Sequence, residues 1–94
     1  MDTSIVIPLV GHLSDHDTIT KVGDKIRKSK GSTIILDCTS LNFIDSHGLG
    51  MILYSYKILN ESNQELILHN PSGILNELLT TANIDKIIRI THSS

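Results

Sequence analysis

Residues 34–57 read IILDCTSLNFIDSHGLGMILYSYK, and this stretch carries the pattern that decides the fold. It opens with an aliphatic run too short for a helix, which predicts a strand over residues 33–37 that is buried on both faces and continues through Cys38. A loop then leads to residues 46–60, where apolar residues recur three and four positions apart, as on one face of a helix. This stripe consists of Leu49, Ile52, Leu53, Tyr56 and Leu59, with Ser55 and Lys57 on the opposite face. The segment therefore predicts a strand followed by a helix.

The residues before this segment predict one more strand and one more helix. Residues 4–10 are mostly β-branched and aliphatic, and Pro8 within them removes a hydrogen-bond donor, so we expect an edge or irregular strand that ends at Gly11. Residues 15–30 carry apolar side chains at helical spacing, with acidic residues near the start and basic residues in the second half. The order up to residue 60 is therefore βαβα.

The residues after the segment continue the alternation. Residues 65–69 predict a compact strand, and Asn70 followed by Pro71 is typical of an N-cap and the first position of a third helix. The apolar stripe of that helix consists of Ile74, Leu75, Leu78 and Leu79, and a last strand is predicted from Ile87, Ile88 and Ile90. The complete order is βαβαβαβ. It predicts a single α/β domain with a mostly parallel four-stranded sheet, right-handed crossovers and helices packed on the sheet.

Composition narrows the classes of function. Eight basic and ten acidic residues among 94 give a formal charge of −2, so charge alone does not favour binding to nucleic acid or to an anionic membrane. No apolar run approaches the length of roughly 18 residues that a membrane-spanning helix needs. Cys38 is the one cysteine, which excludes an internal disulfide and multi-cysteine zinc patterns. Together with the polar start of the sequence, these features lead us to expect a cytoplasmic protein.

The start of the second helix is unusual in its residue types. Ser46 is a candidate N-cap, but Gly48 and Gly50 follow within the first turns, where each glycine costs roughly 1 kcal/mol relative to alanine. Either another part of the chain packs tightly against these glycines, or the backbone of a partner approaches the start of the helix closely. Both explanations stay open, as does the choice between a serine that only caps the helix and a serine with a function.

The stretch FIDSHGLG, residues 43–50, resembles the signature of the STAS domain found in bacterial anti-sigma factor antagonists. The preceding strand over residues 34–37, the turn over residues 9–13 and the IIRI stretch over residues 87–90 also resemble this family. The resemblance covers nearly the whole chain. It implies a STAS-like fold and implies that Ser46 is the serine phosphorylated by an anti-sigma factor kinase.

The resemblance also implies a partner and a docking surface. The unphosphorylated protein is expected to bind an anti-sigma factor serine kinase of the GHKL type and to release a sigma factor, and a serine phosphatase is expected to reverse the modification. The expected partner-binding residues are Gly11, His12, Ser14, Asp45, Ser46, His47, Gly48, Leu49 and Gly50. The alternative is a STAS subunit of a transporter or of a stressosome-like assembly in which the serine is no switch.

The sequence departs from the family pattern at three positions and at both ends. His12 and Ser14 stand where the family has carboxylates, and His47 stands where many relatives have a second serine or another small residue. We also expect a shortened domain that lacks the first strand and the final helix of the family. These departures alter the surface that the kinase would recognise.

Other functions find little support in the residues. His12 and His16 have no third metal ligand close in sequence, so we expect no metal and no other cofactor. Ser46 is not surrounded by the G-x-S-x-G pattern of a hydrolase, and Cys38 is interpreted as an inert thiol in the core. A small flavodoxin-like enzyme or ligand-binding domain would need a polar pocket at the ends of the strands, which these residues do not supply. We therefore expect no catalysis.

Overall fold

Four parallel strands pair in the same order in which they occur in the chain. The computed structural model describes residues 3–93. Its strands are β1 (Ser4–Leu13), β2 (Thr33–Ile44), β3 (Glu65–His69) and β4 (Arg89–Thr91). The predicted α/β fold with a parallel four-stranded sheet is confirmed.

Three helices connect the strands and give the predicted order βαβαβαβ. They are α1 (His16–Lys28), α2 (Ser46–Glu61) and α3 (Gly73–Thr81), and a short 3₁₀ helix, Ile84–Lys86, follows α3. Right-handed crossovers between strands that follow one another in order place all the connecting helices on the same face of the sheet. Within residues 3–93, no helix combines the length and the apolar character needed to span a bilayer.

The first two strands are longer than predicted. β1 continues past Gly11 to Leu13, because Gly11 takes a φ of 75° at an irregularity in the pairing with β2 and the strand resumes after it. β2 continues past Asp37 to Ile44, because its second half pairs with the end of β1 up to Leu13. The predicted strand end at Gly11 and the predicted loop after Cys38 are therefore wrong, whereas β1 is an irregular edge strand as expected.

Helix α2 packs against α1 as well as on the sheet. Ile52 and Leu59 of the predicted stripe are buried. Ser55, predicted on the exposed face, is fully buried and accepts a hydrogen bond from Nη1 of Arg27 at 3.2 Å. That prediction is wrong because α1 covers a second side of α2.

Helix α3 begins two residues later than Pro71. Its N-cap is Ser72, while Asn70 has a φ of 56° and its amide donates to the carbonyl oxygen of Thr91 at 2.7 Å. The predicted cap at Asn70 is therefore wrong, because this residue turns the chain and ties it to β4. Ile74, predicted in the core, is 81% exposed.

The face of the sheet opposite the helices remains partly exposed. The strand register places Val6, Ile35, Ile67 and Arg89 in one row across this face. Asp37 belongs to the next row, and Ile35 and Asp37 are only half-buried. The prediction that residues 33–37 are buried on both faces is therefore wrong, because all the helices cover the same side.

Two titratable groups of β2 have shifted pKa values. The pKa of Asp37 is lowered because the hydroxyl of Thr39 donates to Oδ1 at 2.6 Å and the amide of Thr39 donates at 3.1 Å, with a smaller electrostatic contribution from His69. Burial raises the pKa of the Cys38 thiol to about 12, and the charge of Asp37 adds to this shift. Cys38 therefore lies in the core as a neutral thiol, in agreement with its interpretation as inert.

Candidate functional site

The residues expected to form the site meet at one edge of the sheet. β1 ends at Leu13, which lies opposite Ile44 at the end of β2. Helix α1 begins three residues after the end of β1, and α2 begins two residues after the end of β2. Because the strands are parallel, both strand ends and both helix N-termini share this edge, which is the usual location of binding sites in parallel α/β sheets.

Asp45, and not Ser46, is the N-cap of α2. Its backbone is extended, and its Oδ1 accepts a hydrogen bond from the amide of Gly48 at 2.9 Å. The capping prediction for Ser46 is therefore wrong, since the preceding carboxylate takes that role. Ser46 becomes the first helical residue, and its side chain is exposed.

The surroundings of the Ser46 hydroxyl suit an added phosphate. The amides of Ser46 and His47 lie in the first turn, where a helix offers no carbonyl partner, and the helix dipole places partial positive charge there. The carboxylate of Asp45 adds a negative charge next to it. A phosphate at this position would be tolerated by the helix and would be felt mainly by a molecule docked on the surface.

Gly48 is required by the packing of the chain on itself. A Cβ at this position would lie against the carbonyl oxygen of Leu13 and 2.7 Å from Cγ1 of Ile44. The amide of Asp45 also donates to the same carbonyl of Leu13, at 3.5 Å. The first of the two explanations left open by the sequence therefore holds for Gly48. Leu49, beside it, is half-buried against the core.

Three histidines surround this edge. The ring of His16 stacks on the ring of His47 with centroids 5.7 Å apart and an interplanar angle of 27°, and His12 contacts Phe43 edge to face at 5.8 Å. All three histidines are exposed. The structure thus brings the end of β1 and the start of α1 to the start of α2.

The remaining expected residues lie near this edge with less contact to α2. Gly11 is half-buried within β1, and Ser14 is half-buried between β1 and α1. Gly50 is exposed one turn after Ser46. Residues 11–13, expected to lie beyond the end of the first strand, belong to β1.

Two grooves beside Ser46 were not predicted. The α2–α3 groove, of about 690 Å³, is mainly apolar and includes Phe43 and Ile74, which are 45% and 81% exposed. The α1–α2 groove, of about 460 Å³, lies on the other side of Ser46 and reaches Arg27 and Tyr54. The sequence could not predict the α2–α3 groove, because Ile74 falls within the apolar stripe of α3 and the other residues of that stripe pack in the core.

A separate group of polar side chains lies at the middle of β2 and at the ends of β3 and β4. Nδ1 of His69 and Oγ1 of Thr91 lie 2.7 Å apart, and the amide of Asn70 donates from Nδ2 to Oγ1 of Thr39 at 3.1 Å. The first contact holds β4 to β3, and the second ties the turn after β3 to β2. These polar side chains therefore have a structural role, because they hold β4 and the turn after β3 to the rest of the sheet.

Comparisons with known proteins agree with the fold and identify the family. A family model described as "STAS domain" matches residues 3–94. The anti-sigma F factor antagonist of Paenibacillus polymyxa is 31% identical over 90 residues, which cover 92% of this chain and 76% of that protein. This relative is a regulator by name.

Solved structures give the same result. The anti-sigma factor antagonist SpoIIAA in its unphosphorylated form superimposes with a TM-score of 0.82 at 26% identity, over 100% of this chain and 83% of that one. A sulfate transporter family protein from Wolinella succinogenes superimposes with a TM-score of 0.76 at 14% identity, over 94% of this chain and 75% of that one. The second similarity concerns the fold alone.

Proposed function

The chain belongs to the STAS domain family, and from this premise we propose that it is an anti-sigma factor antagonist controlled by phosphorylation of Ser46. Unphosphorylated, it binds an anti-sigma factor serine kinase of the GHKL type and thereby releases a sigma factor. Phosphorylated, it dissociates from the kinase, and a serine phosphatase restores binding. It acts in the cytoplasm as a protein-binding module without catalysis of its own.

The position of Ser46 is the main support for this proposal. Its side chain is exposed at the first residue of α2, while the neighbouring Asp45 caps the helix. The hydroxyl is therefore available to a kinase without any loss of the cap. The name of the Paenibacillus polymyxa relative and the unphosphorylated SpoIIAA structure point to the same class of regulator.

The chemistry of the switch belongs to the partners. The Ser46 hydroxyl attacks the γ-phosphorus of ATP held by the kinase, the bond from that phosphorus to the ADP oxygen breaks, and a base of the kinase takes the hydroxyl proton. The phosphatase later transfers the phosphoryl group to water and regenerates the hydroxyl. The antagonist contributes a positioned nucleophile on a rigid helix.

The loss of docking follows from the charge and size of the phosphate. It adds about −1.5 to −2 charges next to Asp45, at a surface that must fit closely against the kinase. The docking surface consists of Gly11, His12, Ser14, Asp45, Ser46, His47, Leu49 and Gly50, whereas Gly48, expected among these residues, is buried and serves the packing of α2 on the end of β1. Because Ser46 has no role in the core, repulsion at this surface acts on binding and leaves the fold intact.

A second candidate is a STAS subunit of a transporter or stressosome-like assembly in which Ser46 is never modified. The similarity in fold to the sulfate transporter family protein is compatible with it. The two candidates differ in one measurable property, because the second requires no change in binding when Ser46 carries a negative charge.

The test compares wild type with Ser46→Asp and Ser46→Ala as immobilised baits in lysate of the source organism, with retained proteins identified by mass spectrometry. We expect wild type and Ser46→Ala to retain a GHKL kinase and Ser46→Asp to lose it. The purified kinase with ATP should then phosphorylate wild type at Ser46 and leave Ser46→Ala unmodified. Transporter or scaffold components held equally by all three baits would support the second candidate instead.

A charge control separates the switch from a general effect of acidity. Ser4→Asp adds the same charge at the start of β1, at the opposite edge of the sheet from Ser46, where the side chain is also exposed. It should retain the kinase like wild type. Loss of the kinase from both aspartate variants would argue against a switch located at Ser46.

A further inference from the structure

The two glycines at the start of α2 have different explanations. Gly48 is enclosed by Leu13 and Ile44, whereas a Cβ at Gly50 would have no heavy atom within 4 Å outside its own helix and neighbours. The fold therefore requires a glycine at position 48 and has no such requirement at position 50. Since glycine in a helix lowers the helical equilibrium about fivefold relative to alanine, Gly50 weakens the domain without any gain in internal packing.

Gly50 lies in the α1–α2 groove, which runs from the phosphorylation site along the surface between the two helices. The groove is lined at one end by Ser46 and His47 and at the other by Arg27 and Tyr54. The missing side chain of Gly50 leaves the helix backbone open at this place. A second chain can approach α2 here more closely than at any position that carries a side chain.

At the far end of the groove, the guanidinium of Arg27 is held in place by its own contacts and can donate further hydrogen bonds. The guanidinium carbon of Arg27 lies 5.3 Å from the ring centroid of Tyr54, and its Nη atoms donate to Asp24 and Ser55, each at 3.2 Å. A guanidinium carries five N–H groups, so these two acceptors leave others available. The Arg27 side chain is 26% exposed, so a docked segment with carbonyl or carboxylate oxygens can reach it.

We propose that a main-chain segment of the anti-sigma factor kinase crosses α2 at Gly50 when the two proteins dock. The segment carries small side chains over Gly50 and places oxygen acceptors toward Arg27. This inference rests on the proposed function and adds the direction from which the kinase approaches Ser46. The inference also explains why residue 50 is an exposed glycine. Without a side chain at this position, the backbone around the kinase active site can lie close to α2 while the Ser46 hydroxyl enters that site.

The test uses Gly50→Ala and Gly50→Leu with the purified anti-sigma factor kinase of the source organism. We expect Gly50→Ala to raise the folding equilibrium constant about fivefold, because its methyl group meets open space and alanine favours the helix. The same variant should bind the kinase several-fold more weakly, and Gly50→Leu should weaken the Kd at least tenfold and slow phosphorylation of Ser46 accordingly. Opposite changes in stability and binding distinguish a docking position from a structural one.

A matched control lies further along the same exposed side of α2. Lys57→Ala changes an exposed residue about 10 Å along the helix axis from Gly50 and outside the groove. It should leave the Kd and the phosphorylation rate of wild type unchanged. Arg27→Lys, which keeps the charge and loses the forked donors, should weaken the Kd several-fold.

The outcomes separate this inference from the function on which it rests. If the kinase neither binds nor phosphorylates wild type, the proposed function fails and the inference fails with it. If wild type is phosphorylated at Ser46 and Gly50→Leu binds with the same Kd, the function stands and the approach across Gly50 is wrong. An unchanged Kd for Arg27→Lys would mean that the docked segment places no oxygen acceptor against Arg27, and this part of the inference would be wrong.

Discussion

Gly48 faces the carbonyl oxygen of Leu13 so closely that a Cβ would collide with it, and the first turn of α2 therefore closes on the end of β1 with no room for a side chain. A Gly48→Ala variant must move either the helix or the strand. We expect it to lower the free energy of unfolding by about 1–3 kcal/mol, the usual range for an overpacked core position. Urea denaturation followed by circular dichroism measures this change.

Asp45→Ala tests the cap of α2. The carboxylate of Asp45 accepts the amide of Gly48 at 2.9 Å, and loss of an N-cap acceptor costs about 1 kcal/mol of stability. We expect Asp45→Ala to be less stable by about this amount, and Asp45→Asn, which keeps a capping oxygen, to stay close to wild type. Thermal melts of the three proteins at neutral pH decide the matter. Equal destabilisation by both variants would mean that the charge of Asp45, and not its capping oxygen, matters.

Thr39→Val tests the cause of the low pKa of Asp37. The variant removes the hydroxyl that donates to Oδ1 at 2.6 Å but keeps the β-branched shape and the amide of residue 39. We expect the pKa of Asp37 to rise toward its ordinary value, which NMR titration of the carboxyl carbon measures directly. An unchanged pKa would assign the shift to the amide or to His69.

The hydrogen bonds from Thr39 to Asp37 also predict how the stability of the fold depends on pH. A carboxyl group whose pKa is lower in the folded state stabilises the fold above its unfolded pKa of about 4, and this contribution is lost as the pH falls through the lowered value. Thr39→Val should therefore lose less stability than wild type below about pH 4. Denaturation curves at pH 7 and pH 3 give the comparison, and a larger acid loss in the variant would contradict the prediction.

Cys38 should be unreactive in the folded protein. With a pKa of about 12, the thiol is almost entirely protonated at pH 8, and its side chain lies in the core. We expect no reaction with a thiol-specific reagent over hours in buffer and rapid reaction in guanidinium chloride. The unfolded protein serves as the control, and fast labelling without denaturant would mean that β2 opens locally.

The order of the elements was predictable because each element carries its own apolar pattern. β3 matches its prediction at both ends, since ELILH is a short aliphatic run between polar residues. The ends of β1 and β2 were not predictable, because residues 11–13 and 41–44 form strand only by pairing with each other. Such pairing is a property of the folded sheet and leaves little trace in either segment alone.

The location of the candidate site was predictable from the motif, but its details were not. Asp45 and Ser46 are both good N-cap residues, and only the backbone conformation decides which of them caps the helix. The exposure of Ile74 depends on where α3 lies relative to α2. The different roles of Gly48 and Gly50 depend on the position of β1, which no pattern within α2 contains.

The agreement between strand order and chain order also bears on how the protein assembles. Each strand pairs with the strand that precedes it in the chain, so no strand has to be inserted between two that have already paired. During synthesis, β1, α1 and β2 can associate before β3 has left the ribosome, and later units add to an existing edge. Folding can therefore proceed stepwise from the N-terminal unit, with loop closures that each span about one helix.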